Sequence, residues 1–276
     1  MVQLSTLEQI CFSTTRIETC DATGKQFTGT GFFLNLQISD KKIVPLLVTN
    51  KHVVKGMNKG LFKFTVADSQ GNPIVQQHFT ISYETDFEKM WVFHPNESVD
   101  LCVLPINVLI KAANKLGKKL FYRAFHSAII PNINQINELD AIEDIMMIGY
   151  PDGLWDAINN MPIVRKGITA TQIKFDYEGK KVFLIDAAVF PGSSGSPVLL
   201  YNKGGYTDKN GNYRMGTNRL FLLGVAHQVF QHNSQGQLEI IPIQQTKVIS
   251  NTPIPNNLGI VVKSLLLLDF ISFFNK

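Results

Sequence analysis

Short apolar or alternating segments recur along the chain from Phe32 onwards, and they predict β-strands. Clusters of Gly, Asn, Asp and Pro at 68–73 and 208–212 separate them and predict turns. Many short strands with regular turn signals are typical of an all-β barrel or sandwich. The clearest predicted strands are Phe62–Val66, Ile74–Ile81, Met90–Phe93, Met146–Tyr150, Val182–Val189, Leu220–Val225 and Ile260–Val262.

Two segments interrupt this β pattern and predict helices. Val108–Leu116 continues through a basic stretch towards Phe121 and is interpreted as a connection between two halves. Ser264–Phe274 is too short, and too interrupted by Asp269, to span a bilayer. We expect it to form a closing amphipathic helix, with contact to a membrane surface as the alternative.

Length and charge limit the possible functions. The chain has 276 residues, 45% of them hydrophobic, which suits one compact unit or two tightly packed ones. Its net charge of +4 is spread along the chain without a basic aromatic motif, which argues against a nucleic-acid partner.

One segment has the composition of a loop that presents a nucleophile. In Phe190–Pro197, glycines flank two serines on a turn that follows an apolar strand. Gly192 and Gly195 allow backbone angles closed to other residues, so that amide groups can converge on a developing oxyanion beside Ser194. An ordinary loop between strands is the alternative interpretation.

Two residues upstream complete a possible catalytic set. His52 lies in a short polar step after an apolar strand and is a candidate general base. Asp100 directly precedes an apolar strand, where a buried carboxylate needs a partner such as a histidine N–H. The alternative interpretations are that His52 is a hydrogen-bonded packing residue and that Asp100 caps a turn before the strand. The chain order His52, Asp100, Ser194 is the order of chymotrypsin-type proteases.

The segments around these residues resemble trypsin-like peptidases, most closely the bacterial HtrA-type branch. The resemblance implies two six-stranded antiparallel β-barrels with a catalytic cleft between them. His52 and Asp100 would come from the first barrel and Ser194 from the second, and the backbone amides of Gly192 and Ser194 would form the oxyanion hole. The segments that carry the resemblance are Thr28–Phe33, Val48–Val54, Asp100–Leu104, Ile148–Pro151 and Asp186–Pro197.

The predicted organisation is an N-terminal barrel over 1–107, a connection over 108–127, and a C-terminal barrel with a closing helix over 128–276. The expected reaction is peptide hydrolysis without a cofactor or metal, and the expected partner is a peptide or protein substrate. HtrA-type relatives carry a PDZ domain after the protease, but this sequence ends soon after its last predicted strand. Regulation is therefore expected from loops or from a partner protein.

Several positions depart from secreted digestive relatives. Val53 stands where those enzymes have a cysteine, and the three cysteines of this chain allow at most one bridge. Ser193 stands where zymogen-type relatives have an aspartate, so activation by a new N-terminus is not expected. No secretory signal is visible. These features predict a cytoplasmic protein, or a periplasmic or secreted one if a leader has been removed.

Substrate specificity is predicted from the resemblance alone. It places Ala188 and Val189 near the base of the pocket for the residue before the cleaved bond, and their lack of charge favours a small or medium aliphatic side chain. His227 is the third candidate substrate-binding residue, because glutamate- or glutamine-specific relatives have a pocket histidine two residues after a glycine. Here His227 lies three residues after Gly224, and strand alternation would turn it to the opposite face.

Other functions fit the sequence less well. An α/β-hydrolase esterase would need a second glycine where Ser196 stands and a helix after it. A metalloenzyme is not expected, because the chain lacks both a Cys-x-x-Cys pair and a histidine pair at helical ligand spacing. The main alternative to a protease is a latent or inactive protein of the same fold that binds peptides or a partner.

Overall fold

The computed structural model describes residues 4–238 and 248–275. These ranges are mostly β-structure, with short helices between the strands. The strands are β1 Thr14–Asp21, β2 Gln26–Ser39, β3 Lys42–Thr49, β4 Met57–Ala67, β5 Pro73–Tyr83, β6 Val92–Phe93, β7 Cys102–Pro105, β8 Leu120–Phe121, β9 Phe125–His126, β10 Asp144–Gly149, β11 Ile163–Thr169, β12 Val182–Asp186, β13 Pro197–Asn202, β14 Gly205–Thr207, β15 Tyr213–Met215, β16 Arg219–Leu238 and β17 Val248–Lys263. The α-helices are α1 Thr6–Ile10, α2 Lys51–Val54, α3 Asn107–Lys115, α4 Ile133–Asn137 and α5 Ile271–Phe274. The 3₁₀ helices are Glu88–Met90, Ser127–Ile129, Pro151–Gly153, Tyr177–Gly179 and Ser264–Phe270.

The strands form two large units. In the C-terminal unit, β10-β11-β12-β17-β16-β13 closes into a six-stranded barrel. The N-terminal unit is a nine-stranded sheet with the order β5-β4-β1-β2-β3-β7-β6, to which β8 adds beside β4 and β9 beside β2. The all-β class and the chymotrypsin-like arrangement are confirmed. The N-terminal sheet has more than six strands because the short strands β8 and β9, from the predicted connection over 108–127, also pair with it.

Each unit has its own hydrophobic core, and a third cluster joins the two. Phe32 and Val48 from the first unit pack in the same cluster as Ile148, Leu199 and Val262 from the barrel. All five side chains are buried. Burial of apolar surface is the main favourable contribution to folding, so this shared cluster holds the facing ends of β3 and β13 in place. Those ends lead directly into the segments that carry the candidate catalytic residues.

The predicted connecting helix has the expected length, whereas the C-terminal segment is mostly not α-helix. The connecting helix α3 begins at Asn107 and packs Leu109 and Ala113 against the N-terminal core. The C-terminal segment is a 3₁₀ helix over Ser264–Phe270, followed by only one turn of α-helix. Leu267 and Phe270 bury it in the cluster that both units share. Within the described ranges, no helix is long and apolar enough to cross a membrane.

The cysteines are all free thiols. Cys102 in β7 is fully buried, and its Sγ lies 3.5 Å from the carbonyl oxygen of Asn50. Burial raises the pKa of the Cys102 thiol well above its usual value. The thiol therefore stays protonated and acts as a packing group behind the candidate active site.

A buried ion pair in the barrel provides a stability prediction. The Arg219 guanidinium binds the Glu143 carboxylate with two hydrogen bonds, Nη1–Oε1 at 3.1 Å and Nη2–Oε2 at 2.5 Å. Both residues are buried. Glu143→Ala would leave the guanidinium buried without its charge partner, and we expect the free energy of unfolding to fall by about 3 kcal/mol.

Urea unfolding of the two proteins measures this change. The matched control is Glu138→Ala, because Glu138 forms a long and exposed ion pair. Its Oε1 lies 3.6 Å from Lys209 Nζ, and its side chain is 72% exposed. That control should change the unfolding free energy by less than about 0.5 kcal/mol. Equal effects of the two substitutions would show that the buried pair has no special role.

Candidate active site

His52 is positioned by the junction of β3 and α2. Val53 and Val54 are buried in the N-terminal core and fix the short helix against the sheet. Because the two valines point inward, the His52 side chain is left 44% exposed at the surface between the two units. A ring held in this way is accessible to solvent and to a substrate.

Asp100 holds the His52 ring and its backbone together. One carboxylate oxygen, Oδ1, accepts a hydrogen bond from the His52 backbone amide at 3.0 Å. The other, Oδ2, lies 2.6 Å from Nδ1 of the His52 ring. Asn50 fixes the segment from the other side, because its Nδ2 donates to the Asp100 carbonyl oxygen at 2.8 Å. The pair can therefore hold the His52 proton on Nδ1 and leave Nε2 free to accept another.

A second histidine contacts the same carboxylate. His227 lies on β16, and its Nδ1 is 2.7 Å from Asp100 Oδ2. The His52 and His227 ring centroids are 5.5 Å apart. Burial alone would raise the pKa of Asp100, but its contacts with His227 and His52 hold that pKa well below its usual range. The Asp100 carboxylate is therefore charged at neutral pH.

Ser194 lies on a tight loop between β12 and β13. The loop is fixed to the first unit through Thr30, whose backbone amide donates to the Ser194 carbonyl at 2.8 Å and whose hydroxyl donates to the Gly192 carbonyl at 2.9 Å. The Ser194 hydroxyl donates to the carbonyl oxygen of His227 at 3.1 Å. Within the described residues, it makes no hydrogen bond to His52.

Glycine is required at two positions of this loop. Gly192 has φ +85° and Gly195 has φ +88°, a region that other residues rarely adopt. A Cβ on Gly195 would lie 1.9 Å from the Thr30 carbonyl oxygen, and one on Gly192 would lie 2.5 Å from the Tyr150 carbonyl oxygen. The two glycines therefore permit both the turn and its close contact with the neighbouring backbone.

The loop leaves two backbone amides available beside the serine. The Ser193 amide donates to the Phe190 carbonyl at 3.0 Å, and the Gly195 amide donates to the Ala226 carbonyl at 2.9 Å. In contrast, the amides of Gly192 and Ser194 have no acceptor within the part of the chain that the structure describes. Two free amides two residues apart on one turn can bind an oxyanion.

The three predicted substrate-binding residues lie in different surroundings. The Ala188 carbonyl accepts a hydrogen bond from the guanidinium of Arg165, which also lies over the Phe190 ring at 4.7 Å. Val189 is 3% exposed and belongs to the core of the C-terminal barrel. His227 lies against Asp100, with Nδ1 at 2.7 Å from Oδ2.

A cavity of about 590 Å³ opens beside the Ser194 loop. Pro191 and Gly192 form one side of it, and residues of β1, β2 and β4 form the other. Its walls include two ion pairs, Arg16 with Glu18 and Lys59 with Glu84, so it has charged surface of both signs as well as apolar surface. Its place next to Gly192 makes it suitable for the part of a peptide that extends beyond the serine.

His52, Asp100 and His227 also form a group that can hold a metal ion. Their ligand atoms all lie within 4.8 Å of one another. The sequence pattern did not indicate this group, because its members come from three distant segments rather than from one helix. His227 and its contact with Asp100 are what sequence reasoning missed. The one-residue shift after Gly224 predicted that His227 turns away from the expected pocket, but it did not indicate Asp100 as the neighbour.

Several solved structures are similar to this chain. The Rv3671c protease from M. tuberculosis in its active form is 16% identical, with a TM-score of 0.41, over 93% of this chain and 78% of that one. The HtrA-type protease AlgW with a tripeptide is 15% identical, with a TM-score of 0.46, over 95% of this chain and 60% of that one. The MamO protease domain from Magnetospirillum magneticum is 11% identical, with a TM-score of 0.42, over 95% and 97%.

The sequence itself gives the stronger comparison. No curated protein sequence matches the chain. The family model of the trypsin-like peptidase domain matches residues 29–205. That range is more than half of the chain, and it contains His52, Asp100 and Ser194. The chain therefore belongs to the trypsin-like peptidase family.

Proposed function

We propose that this chain is a serine endopeptidase with Ser194 as nucleophile, His52 as general base and Asp100 as the residue that orients His52. The observation that carries the proposal is the 2.6 Å contact between Asp100 Oδ2 and His52 Nδ1, in a carboxylate that also binds the His52 backbone amide. Two separate contacts to one residue fix both the tautomer and the direction of the ring.

The reaction follows from these groups. Ser194 Oγ attacks the peptide carbonyl carbon while its proton passes to Nε2 of His52. The negative charge that develops on the carbonyl oxygen is stabilised by the free amides of Gly192 and Ser194. His52 then donates the proton to the leaving amine, and water resolves the acyl-enzyme by the same two steps.

The Ser194 hydroxyl must leave its present partner for this reaction. Its present hydrogen bond is to the His227 carbonyl, and a serine hydroxyl turns about one bond. Catalytic hydrogen bonds are often long or misaligned in the absence of substrate and tighten in its presence. We infer that substrate binding turns the hydroxyl from His227 to His52.

For specificity, we propose a preference for small or medium aliphatic residues before the cleaved bond. Neither Ala188 nor Val189 carries a charge, and the nearby Arg165 guanidinium is already engaged by the Ala188 carbonyl and the Phe190 ring. A peptide library that varies only this position measures the preference. A strong preference for acidic peptides would instead assign Arg165 to substrate binding.

The second candidate function is a latent or inactive protease-fold protein that binds peptides or a partner. The observation that favours it is the Ser194 hydroxyl bound to the His227 carbonyl instead of to His52. In a latent protein this contact would persist with substrate present.

Labelling with a fluorophosphonate probe tests the proposed function and separates it from the second candidate. The probe reacts only with a serine that has been activated, so the intact mass should increase by one adduct per chain. Ser194→Ala should show no adduct. Ser193→Ala removes the neighbouring hydroxyl of the same loop and serves as the matched control, which should keep the adduct.

Two results would contradict the proposal. An adduct that persists in Ser194→Ala and disappears in Ser193→Ala would show that the nucleophile is Ser193 and not Ser194. Absence of an adduct from all three proteins, each folded by circular dichroism, would favour the latent or inactive candidate.

A further inference from the structure

The Asp100 carboxylate is shared by two imidazole rings from different units of the fold. His52 follows β3 in the N-terminal unit, whereas His227 lies on β16 of the barrel. Both Nδ1 atoms approach the same oxygen, Oδ2, at 2.6 Å and 2.7 Å. The catalytic mechanism proposed above uses the first contact and gives no role to the second.

The second contact is short but is not a well-directed hydrogen bond. His227 Nδ1 is buried, and within the described residues it has no hydrogen-bond partner of acceptable angle, although Oδ2 is only 2.7 Å away. A buried polar atom in this situation favours a ligand that both rings and the carboxylate can bind together.

The donor set matches one class of ligand. Two imidazole nitrogens and one carboxylate oxygen are a common set for Zn²⁺, which in many sites takes three protein ligands and leaves a fourth position open. At bond lengths of about 2.0–2.2 Å, tetrahedral ligands lie about 3.3–3.6 Å apart. The three ligand atoms here are already within 4.8 Å, so changes of side-chain torsion are sufficient.

The site is also accessible. The His52 side chain is 44% exposed, which provides an entry path for an ion, whereas those of Asp100 and His227 are 17% and 20% exposed.

We propose that His52, Asp100 and His227 bind Zn²⁺ or a similar transition-metal ion, and that this ion inhibits the protease. The inhibitory effect rests on the serine-protease function proposed above, but the binding does not. In the neutral imidazole that binds the ion through Nδ1, the single ring proton lies on Nε2. It moves there from Nδ1 through solvent, with no net change in the number of protons on His52.

This tautomer blocks the chemistry. With a proton on Nε2, His52 has no lone pair to accept the Ser194 proton, so the nucleophile is not activated. The ion also occupies the carboxylate that would support the imidazolium. The ion acts as a reversible inhibitor, and chelation should restore activity.

Direct binding is measured first, and it needs no turnover. Metal-free protein competes with a chromophoric chelator for Zn²⁺ at neutral pH, and one ion per chain is expected. His227→Gln replaces the ring with an amide of similar size and removes the ring nitrogens. The affinity for Zn²⁺ should then fall about a hundredfold. His78→Gln, which changes a histidine of β5, is the matched control and should bind as the unmodified protein does.

A second variant protects against a folding artefact. His52→Gln changes a half-exposed ring and should also weaken Zn²⁺ binding about a hundredfold, with circular dichroism confirming the fold. Mg²⁺ and Ca²⁺ prefer all-oxygen sites and should not displace Zn²⁺. Zn²⁺ affinity that is unchanged in both His227→Gln and His52→Gln would overturn the site.

The effect on the serine is measured separately with the fluorophosphonate probe. One equivalent of Zn²⁺ should suppress labelling at least tenfold, and EDTA should restore it. Labelling that continues with the site saturated would overturn inhibition by this site. Tight Zn²⁺ binding in a protein that the probe never labels, even after EDTA, would instead contradict the proposed function and leave the metal site supported.

Discussion

Ser194→Ala is expected to lower kcat for peptide hydrolysis by a factor on the order of 10⁶ without changing the fold. The serine supplies the atom that forms the acyl-enzyme, and no other hydroxyl of the loop can replace it. Its side chain makes one hydrogen bond, to the His227 carbonyl, so its loss has little effect on stability. Hydrolysis of a peptide substrate, together with the unfolding midpoint in urea, checks both parts.

The double variant Ser194→Ala/His52→Ala tests whether the two residues act as one unit. If they do, the double variant is about as slow as either single variant, because each removal already disables proton transfer. Losses that multiply would show that the two side chains contribute independently. A Ser194→Ala protein with normal turnover would contradict the entire assignment.

The candidate site residues could be predicted from the sequence because each lies in a segment with a local signature. The boundary between an apolar strand and a polar residue predicts where a side chain leaves the core, and His52 follows one such strand whereas Asp100 precedes another. The glycines around Ser194 indicate a tight turn in the same local way, and their positive φ angles agree with that interpretation. The roles of these residues in catalysis remain predictions.

Other features depend on contacts between distant segments, which no local pattern reveals. The short strands β8 and β9 contain two residues each and join the N-terminal sheet only through tertiary pairing. The C-terminal segment has the apolar content of an amphipathic helix, but packing against both units produces a 3₁₀ helix over Ser264–Phe270. Period and composition do not distinguish these two helix types.

The contact between His227 and Asp100 shows the same limit more sharply. Strand alternation indicated that His227 points away from the expected pocket, but alternation alone does not say what lies on the other face. That face is supplied by Asp100, which is 127 residues earlier in the chain and is fixed there by Asn50 and His52. Thr30 has a similar function for the Ser194 loop, since it binds both Gly192 and Ser194 across the two units.

Asp100→Asn is expected to lower kcat by a factor on the order of 10⁴, with a much smaller change in KM. The amide Nδ2 that replaces one carboxylate oxygen is a donor, so it cannot accept the Nδ1 proton of His52. The ring then favours the tautomer with its proton on Nε2. A protonated Nε2 has no lone pair to accept the proton of the Ser194 hydroxyl. Substrate contacts with the rest of the cleft are unchanged, which is why binding should be affected less than turnover.

The control for this substitution is Asp144→Asn, which makes the same chemical change at an exposed position at the start of β10. It should keep kcat within about twofold of the unmodified protein, because exposed substitutions away from the site have small effects. His52 would then depend on the Asp100 charge itself and not on the net charge of the protein. If Asp100→Asn lowers kcat less than tenfold, another group orients His52, and the adjacent His227 carbonyl and ring become the first places to examine.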